Sequence, residues 1–330
     1  MAPLRGPPFI QVPRREPSQL SIHLRSRQER APASRSAPLM MEDPMAYPIS
    51  RRHTLLAATG LTLASLPGRH LFAAEGASPQ DVKDEDIFQF ALNLEYMEAE
   101  YYLRGTQGKG LEADDVGADP GKVVGGDKVP FKSKAIQAFL EEVAENELAH
   151  VRFYRKTLGK SAVDRPAIDF NAGFAAAAKG AGLGDKFNAF ENEMNFLLGG
   201  MLFEDVGVTA YAGAATALKE KEHLEAAAGI LAVEAYHMGM ARSQLYEMGE
   251  EAWKAANALS DARDKLDGPE DKDQGIRVDG KANIVPSDSD GIAFRRTPQE
   301  VLHIVYVSAQ SGVSKGGFYP NGMNGKLKST

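Results

Sequence analysis

The chain has 330 residues, of which 43% are hydrophobic and 25% are charged, and this composition is typical of a folded protein with a sizeable core. It contains no cysteine, which excludes disulfides, thiolate zinc sites and cysteine nucleophiles and leaves carboxylates and imidazoles as the strong metal ligands. The net charge is −7: residues 1–74 carry +6, from ten arginines and four acidic residues, and the rest of the chain carries −13. An acidic body without a basic stripe argues against nucleic-acid binding.

Residues 1–44 are rich in Pro, Arg and Ser and show no apolar period. This composition predicts a disordered leader. Alternatively, the segment precedes the true start of translation, which we expect at Met41 or Met45 because an export-type signal follows.

Residues 45–77 resemble a twin-arginine export signal. Arg51-Arg52 precedes an uncharged apolar run that ends at Leu66, and small residues follow at Ala73-Ala74. The run is about 12 residues long, short of the roughly 20 that a spanning helix needs, so no stable membrane span is expected. A short buried helix is the alternative interpretation. We expect export by the twin-arginine machinery, a periplasmic or exported protein, and a mature N-terminus near Ala73 to Ala77.

From Asp84 onward, apolar residues recur with helical spacing and strand-like alternation is scarce, which favours an all-α fold. Residues 84–249 are predicted to form a four-helix bundle with one long crossover, and residues 250–330 a mostly irregular extension with some helix. The crossover, at about residues 159–186, would make the third long helix parallel to the second. The long helices are predicted at about Asp84 to Leu103, Ser133 to Leu158, Phe187 to Ala215 and Leu224 to Met248, and shorter helices at Phe170 to Ala181, at Glu250 to Leu266 and from Thr297-Pro298 onward.

Two of these helices carry a Glu-x-x-His motif on an apolar face. Glu147 and His150 lie on one face of the second helix, and Glu234 and His237 repeat the pattern on the fourth. A charged group in such a position needs a partner because burial without one is costly. Taken alone, either pair is equally well explained by a satisfied buried histidine.

The other two long helices each place a glutamate within an apolar stripe. Glu95 is followed seven residues later by Tyr102, and Glu204 by Tyr211, so each tyrosine lies two turns along the same face. Nearby polar residues have ordinary explanations. We expect Glu98 and Glu100 to be solvated, Asp205 to be a supporting or structural acid, and His223 and His303 to lie outside any metal site.

Four inward carboxylates without cations would repel one another and bear a large desolvation cost. Two divalent cations nearly balance that charge, and a carboxylate-rich, histidine-poor set suits iron or manganese better than copper or zinc. Tyr102 and Tyr211 are candidates to donate a proton or an electron near the metals, with core tyrosines as the alternative. The predicted cofactors are two Fe or two Mn ions, and the predicted ligands are Glu95, Glu147, His150, Glu204, Glu234 and His237.

This ligand order resembles that of the ferritin-like superfamily. Three further phrases, FLLGGMLFEDVGVTAYAGAA, GIAFRRTPQEVLHIVY and GGFYPNGMNG, resemble the branch of exported bacterial proteins related to plant desiccation-related proteins. The resemblance covers about Asp84 to Lys326. It implies that Glu147 and Glu234 bridge the metals, with Glu95 and His150 on one ion and Glu204 and His237 on the other.

Such a centre is expected to react with dioxygen or peroxide, either oxidising Fe(II) or removing peroxide. A dimanganese catalase is an alternative, and so is a non-catalytic stress or desiccation protein in which the metals only stabilise the bundle. An iron-storage cage is disfavoured, because the glycine-rich loop at residues 105–126 and the C-terminal extension would obstruct a compact shell. A homo-oligomer is possible.

Overall fold

The computed structural model describes residues 82–330. The predictions for residues 1–44 and 45–77 therefore lie outside the described residues. Within the described part, the helices are α1 (Asp84–Gln107), α2 (Lys134–Leu158), α3 (Phe170–Gly180), α4 (Glu193–Ala214), α5 (Lys221–Glu247), α6 (Glu250–Asp264) and α7 (Pro298–Val305). Two short sheets accompany them: β1 (Val123–Val124) pairs in parallel with β2 (Ile168–Asp169), and β3 (Arg277–Val278) pairs antiparallel with β4 (Lys281–Ala282).

The helix boundaries follow local capping chemistry. The Ser133 side chain accepts the Ile136 N–H at the start of α2. Thr297 and Glu300 form a capping box at α7, as the sequence predicts. The predicted start of the third long helix at Phe187 is wrong: α4 begins at Glu193, because the Asn192 side chain caps it by accepting the Asn195 N–H.

The four long helices form the predicted all-α bundle. Phe88 of α1 packs on Tyr154 of α2, while Glu95 lies beside His150, so these two helices are antiparallel. The hydrogen bond from Tyr102 to Glu204 and that from Tyr211 to Glu95 make α1 antiparallel to α4 as well. Helices α2 and α4 are therefore parallel, as one long crossover requires.

Helix α1 is more deeply buried than its amphipathic pattern suggests. Glu98 and Glu100, which we predicted to be solvated, are 3% and 0% exposed. The prediction is wrong for two reasons: Glu98 faces the core of the bundle, next to Gly207 of α4, and a distant segment covers Glu100 on the outer face of α1. The Glu100 carboxylate accepts hydrogen bonds from Arg104, at 2.7 Å, and from Arg165 of the crossover.

The C-terminal extension is fastened to the bundle by buried ion pairs. Arg242 of α5 and Arg263 of α6 both donate to Asp205 of α4, at 2.8 and 2.6 Å. Arg296 donates to Asp267 at 2.7 Å and also to Asp273. These contacts join the residues after α5 to the bundle in one folded body. No helix within residues 82–330 is both long enough and apolar enough to cross a membrane.

Candidate metal centre

All six predicted ligands meet in the middle of the bundle, and each of them is buried. One group consists of Glu95, Glu147, His150 and Glu234, and a second consists of Glu147, Glu204, Glu234 and His237. Within each group, one nitrogen or oxygen atom per residue lies within 4.8 Å of the others. Glu147 and Glu234 belong to both groups, so the two positions share an edge made of two carboxylates.

The imidazoles present the same nitrogen to the carboxylates. His150 Nδ1 lies 3.2 Å from Glu95 Oε2 and 3.3 Å from Glu147 Oε2. His237 Nδ1 lies 2.9 Å from Glu147 Oε1. On the far side of that ring, His237 Nε2 lies 3.0 Å from Asn146 Oδ1, which can only accept. A neutral His237 therefore carries its proton on Nε2 and keeps a free lone pair on Nδ1, as a metal ligand must.

Several atoms of the cluster are buried and make no hydrogen bond of acceptable angle within the described part of the chain, although His237 Nδ1 and Glu147 Oε1 lie close together. They are Glu147 Oε1, Glu204 Oε2, both oxygens of Glu234, and His237 Nδ1. An unpaired buried polar atom costs about 1–3 kcal/mol, and more if it is charged. A metal site whose cation is absent is expected to leave such unpaired ligand atoms close together. The chemistry of these residues therefore fits a metal site.

Burial dominates the electrostatics of three of the carboxyl groups. It raises the pKa of Glu234 well above its usual range, with Glu147 and Glu98 adding repulsion. It raises the pKa of Glu204 and brings that of Glu95 to about 7, although His237 and His150 respectively oppose the change. In the absence of metal, these groups hold protons that exposed glutamates would lose.

Glu147 behaves in the opposite way. Burial alone would raise its pKa, but contacts with the imidazoles of His150 and His237 outweigh burial and lower it. Burial also disfavours charge on the imidazoles, yet the surrounding carboxylates raise the pKa of His150 to about 11 and that of His237 to about 10. The metal-free cluster is therefore an array of shared protons, which cations would displace.

Two tyrosines hold the glutamates of the opposite helix. The Tyr102 hydroxyl of α1 donates to Glu204 Oε1 of α4 at 2.6 Å. The Tyr211 hydroxyl of α4 donates to Glu95 Oε1 of α1. Because the two helices are antiparallel, the tyrosine of each helix reaches the glutamate of the other. The two hydrogen bonds are therefore related by an approximate twofold axis. Burial raises the pKa of both hydroxyls well above the usual range, so both remain donors.

Three positions break this symmetry, and the sequence reasoning did not identify any of them as functional. Asn146 contacts His237, whereas Val233 occupies the matching place in α5. Tyr154 follows His150 by four residues, on the same helical face, and the match on α5 is Ala241.

The third break is Glu98, opposite which α4 has Gly207. The space where a Cβ on Gly207 would lie is taken by Glu234 Oε2, with Glu98 Oε1 3.5 Å away. Glycine thus lets two carboxylates enter the core together. The helical spacing of Glu98 and Gly207 from Glu95 and Glu204 was the available signal.

Unlike Glu98, three other residues predicted to lie outside the cluster, Asp205, His223 and His303, do so. Asp205 accepts hydrogen bonds from Arg242 and Arg263 on a different face of α4, about 100° from Glu204. His223 Nδ1 lies 2.9 Å from Asp84 Oδ2. His303 Nδ1 contacts the Ser308 carbonyl oxygen.

Comparison with known proteins agrees with this geometry. A family model described as "Ferritin-like domain" matches residues 83–247. A ferritin-like catalase, Nec2, from Nesocodon mauritianus is 31% identical over 272 residues, covering 75% of this chain and 85% of the relative. The desiccation-related protein PCC13-62 from Craterostigma plantagineum is 30% identical over 285 residues, covering 78% of this chain and 89% of the relative. No solved structure matches the chain significantly. The chain therefore belongs to the ferritin-like domain family, in the part of it that includes desiccation-related proteins.

Proposed function

We propose that this protein binds two ions of iron or manganese and disproportionates hydrogen peroxide, two molecules of peroxide giving two of water and one of dioxygen. The observation that carries the proposal is the cluster of four glutamates and two histidines in which Glu234 has no hydrogen bond at all within residues 82–330. A relative of similar length that is named a ferritin-like catalase supports the choice of reaction.

In this proposal Glu147 and Glu234 would help to hold both ions, because each belongs to both groups of converging residues. Glu95 with His150, and Glu204 with His237, complete the two ligand sets. A hard, oxygen-rich environment with one imidazole per ion suits iron or manganese. Such ions, when bound, supply a couple that takes two electrons from one peroxide molecule and returns them to another.

The protein's own groups orient the ligands and manage protons. Tyr102 and Tyr211 hold Glu204 and Glu95 through hydroxyl donors. Asn146 fixes the His237 ring through Nε2. Peroxide disproportionation consumes no net protons, so a buried centre without bulk water can sustain it.

A second candidate is a non-catalytic desiccation-related protein in which the metals only stabilise the bundle. The relative from Craterostigma plantagineum favours it by name. Oxidation of Fe(II) by dioxygen at the same centre is a third outcome that the assays below separate from the first.

We also propose that the protein is exported by the twin-arginine pathway, which carries folded proteins and so permits metal loading in the cytoplasm. The support is the order of the arginine pair, the apolar run and the small residues within residues 45–77. N-terminal sequencing of exported protein tests this, and recovery of any residue before Arg51 would contradict it.

The test of function compares wild type with Glu147→Gln and Glu220→Gln. Glu220 also belongs to a Glu-x-x-His motif, but it lies at the start of α5, outside the cluster, and so provides a matched control. After anaerobic loading with Mn(II) or Fe(II), we expect two metal ions per chain and dioxygen evolution from peroxide for wild type and Glu220→Gln, and neither for Glu147→Gln. Metal binding without dioxygen evolution would contradict the peroxide reaction, and dioxygen consumption by the Fe(II)-loaded protein would then separate Fe(II) oxidation from the non-catalytic candidate. No metal binding would contradict all three.

A further inference from the structure

One apolar cavity lies against only one half of the centre. Helices α1, α4, α5 and α7 line it with aliphatic and aromatic side chains, including Phe88, Leu94, Ala227 and Val301. Tyr154 and Tyr211 also line it. The Tyr211 hydroxyl donates to Glu95, so the wall of this cavity is one hydrogen bond away from a predicted metal ligand.

The volume and the lining limit what can occupy the cavity. Its volume is about 30 Å³. A water molecule needs only about 10–15 Å³ but also two to four polar partners. Arg296 is the one charged residue in the lining, and its guanidinium is occupied by Asp267, Asp273 and Thr209. The Tyr154 hydroxyl has no hydrogen bond, and the Tyr211 hydroxyl, which donates to Glu95, can still accept one. The lining therefore offers a water molecule no more than the minimum of two partners.

The same reasoning separates the two small molecules of the proposed reaction. Hydrogen peroxide would lose its hydrogen bonds to water on entering this cavity. The cost is about 2–7 kcal/mol for each hydroxyl that finds no new partner. Dioxygen has no hydrogen bonds to lose and is small enough to fit. The lining therefore selects the apolar partner of the reaction.

The two halves of the centre are unequal here. Tyr154 stands four residues after His150 in the half that contains Glu95. Ala241 stands at the matching place after His237. The cavity, which Tyr154 and Tyr211 line, thus lies on the Glu95 side, and three partly exposed residues, Ala210, Ala214 and Leu218, form the outer part of its lining.

We propose that this cavity is a binding site for dioxygen beside the Glu95 half of the centre, and that product dioxygen leaves through it. The binding site rests on volume and lining alone. The role as an exit rests on the proposed function.

The experiment uses crystals of the metal-loaded protein pressurised with xenon or with oxygen gas. We compare wild type with Ala227→Val, which adds two methyl groups within the cavity, and Ala177→Val, which does the same in a second apolar cavity of about 50 Å³ between α3, α6 and α7. We expect gas density beside Tyr211 in wild type and Ala177→Val and its loss in Ala227→Val. Ala214→Val replaces Ala227→Val if the latter does not fold.

Initial rates of dioxygen evolution from peroxide provide the second readout. We expect a several-fold lower rate for Ala227→Val than for Ala177→Val. Absence of gas density beside Tyr211 in wild type would overturn the binding site. Gas density together with equal rates in the two variants would overturn the exit role. A wild type that binds metal and gas but evolves no dioxygen would refute the proposed function and leave the binding site standing.

Discussion

Two adjacent residues of α4, Glu204 and Asp205, point into two buried charged clusters that solve the same electrostatic problem differently. Asp205 belongs to a cluster in which three aspartates meet three arginines, Arg242, Arg263 and Arg296. Each of the three carboxylates contacts at least one guanidinium. The Arg242 and Arg263 charges lower the pKa of Asp205 despite its burial. The three negative charges of this cluster are thus balanced by three positive charges from the chain itself.

Glu204 belongs to a cluster that its own residues do not balance. Within residues 82–330, the cationic partners of Glu95, Glu98, Glu147, Glu204 and Glu234 are His150 and His237 alone. Even with both imidazoles charged, three negative charges remain in excess, so the cluster must take up protons or cations. The comparison teaches that burial of acids does not by itself indicate a metal site, whereas burial of acids without their own counter-charges does.

The largest expected effect is stabilisation by metal. Each ion that binds only the folded state adds about 4 kcal/mol at a free concentration a thousand times its dissociation constant. Thermal melts with and without Mn(II) should show a large gain for wild type and for Asp205→Asn, which alters only the neutral cluster. Glu234→Gln should lose most of the gain, because Glu234 belongs to both ligand groups. An equal gain in Glu234→Gln would remove this residue from the metal site.

Next in size is the cost of breaking the neutral cluster. Asp205→Ala leaves Arg242 and Arg263 without a shared buried partner and should lower the free energy of unfolding by about 3–5 kcal/mol. Urea unfolding should show this loss with or without metal. Arg152→Ala is the control, since its pair with Asp115 involves a side chain that is 57% exposed, and such surface pairs contribute roughly 0–1 kcal/mol. Equal losses in the two variants would show that the buried cluster contributes no more to stability than a surface ion pair.

Local pattern was sufficient to predict much of this molecule. The helices and the six converging residues follow from helical period and from charged residues on apolar faces. The two tyrosines follow from a seven-residue spacing. All of these signals lie within one helix at a time, so they can be read without knowing how the helices pack.

The features that the sequence did not predict depend on contacts between segments far apart in sequence. The Asn324 N–H donates to Asn93 and the Tyr319 hydroxyl donates to the Asn93 carbonyl, so the C-terminal tail covers the outer face of α1. Burial of Glu100 follows from cover of this kind, supplied by Arg165 of the crossover, and no local pattern contains it. In the same way, the sequence alone indicates an ordinary surface charge at Arg242. Its burial becomes clear only from its contact with Asp205 of α4.

The pH dependence of stability should have opposite signs in the metal-free and loaded protein. The raised pKa values of His150 and His237, about 11 and 10, mean that the metal-free folded state keeps protons that the unfolded state loses above pH 6.5. Stability should then fall by up to about 1.4 kcal/mol per pH unit for each histidine. With metal bound, the ligands carry no such protons, and stability should rise towards pH 6.5 and then level off. Melts from pH 5 to 9 test this, and parallel curves would contradict it.

The smallest effect concerns the two hydroxyl donors. Tyr102→Phe and Tyr211→Phe each remove one hydrogen bond to a glutamate of the centre and should lower the free energy of unfolding by about 0.5–1.5 kcal/mol. Tyr101→Phe is the matched control, because its buried hydroxyl donates to the Phe196 carbonyl oxygen, at 2.7 Å, and not to a glutamate of the centre.

All three Tyr→Phe variants should therefore lose similar stability without metal, and the distinction lies in what metal restores. Tyr102 and Tyr211 hold carboxylates in the orientation that a cation requires, so their removal should weaken metal binding by about a factor of ten or less, the equivalent of one such hydrogen bond. Tyr101 contacts no ligand and should leave the metal affinity unchanged. Calorimetric titration with Mn(II) measures the difference. If Tyr101→Phe weakened binding as much as the other two, the effect would reflect general loosening of the core, and the tyrosines would have no particular role at the centre.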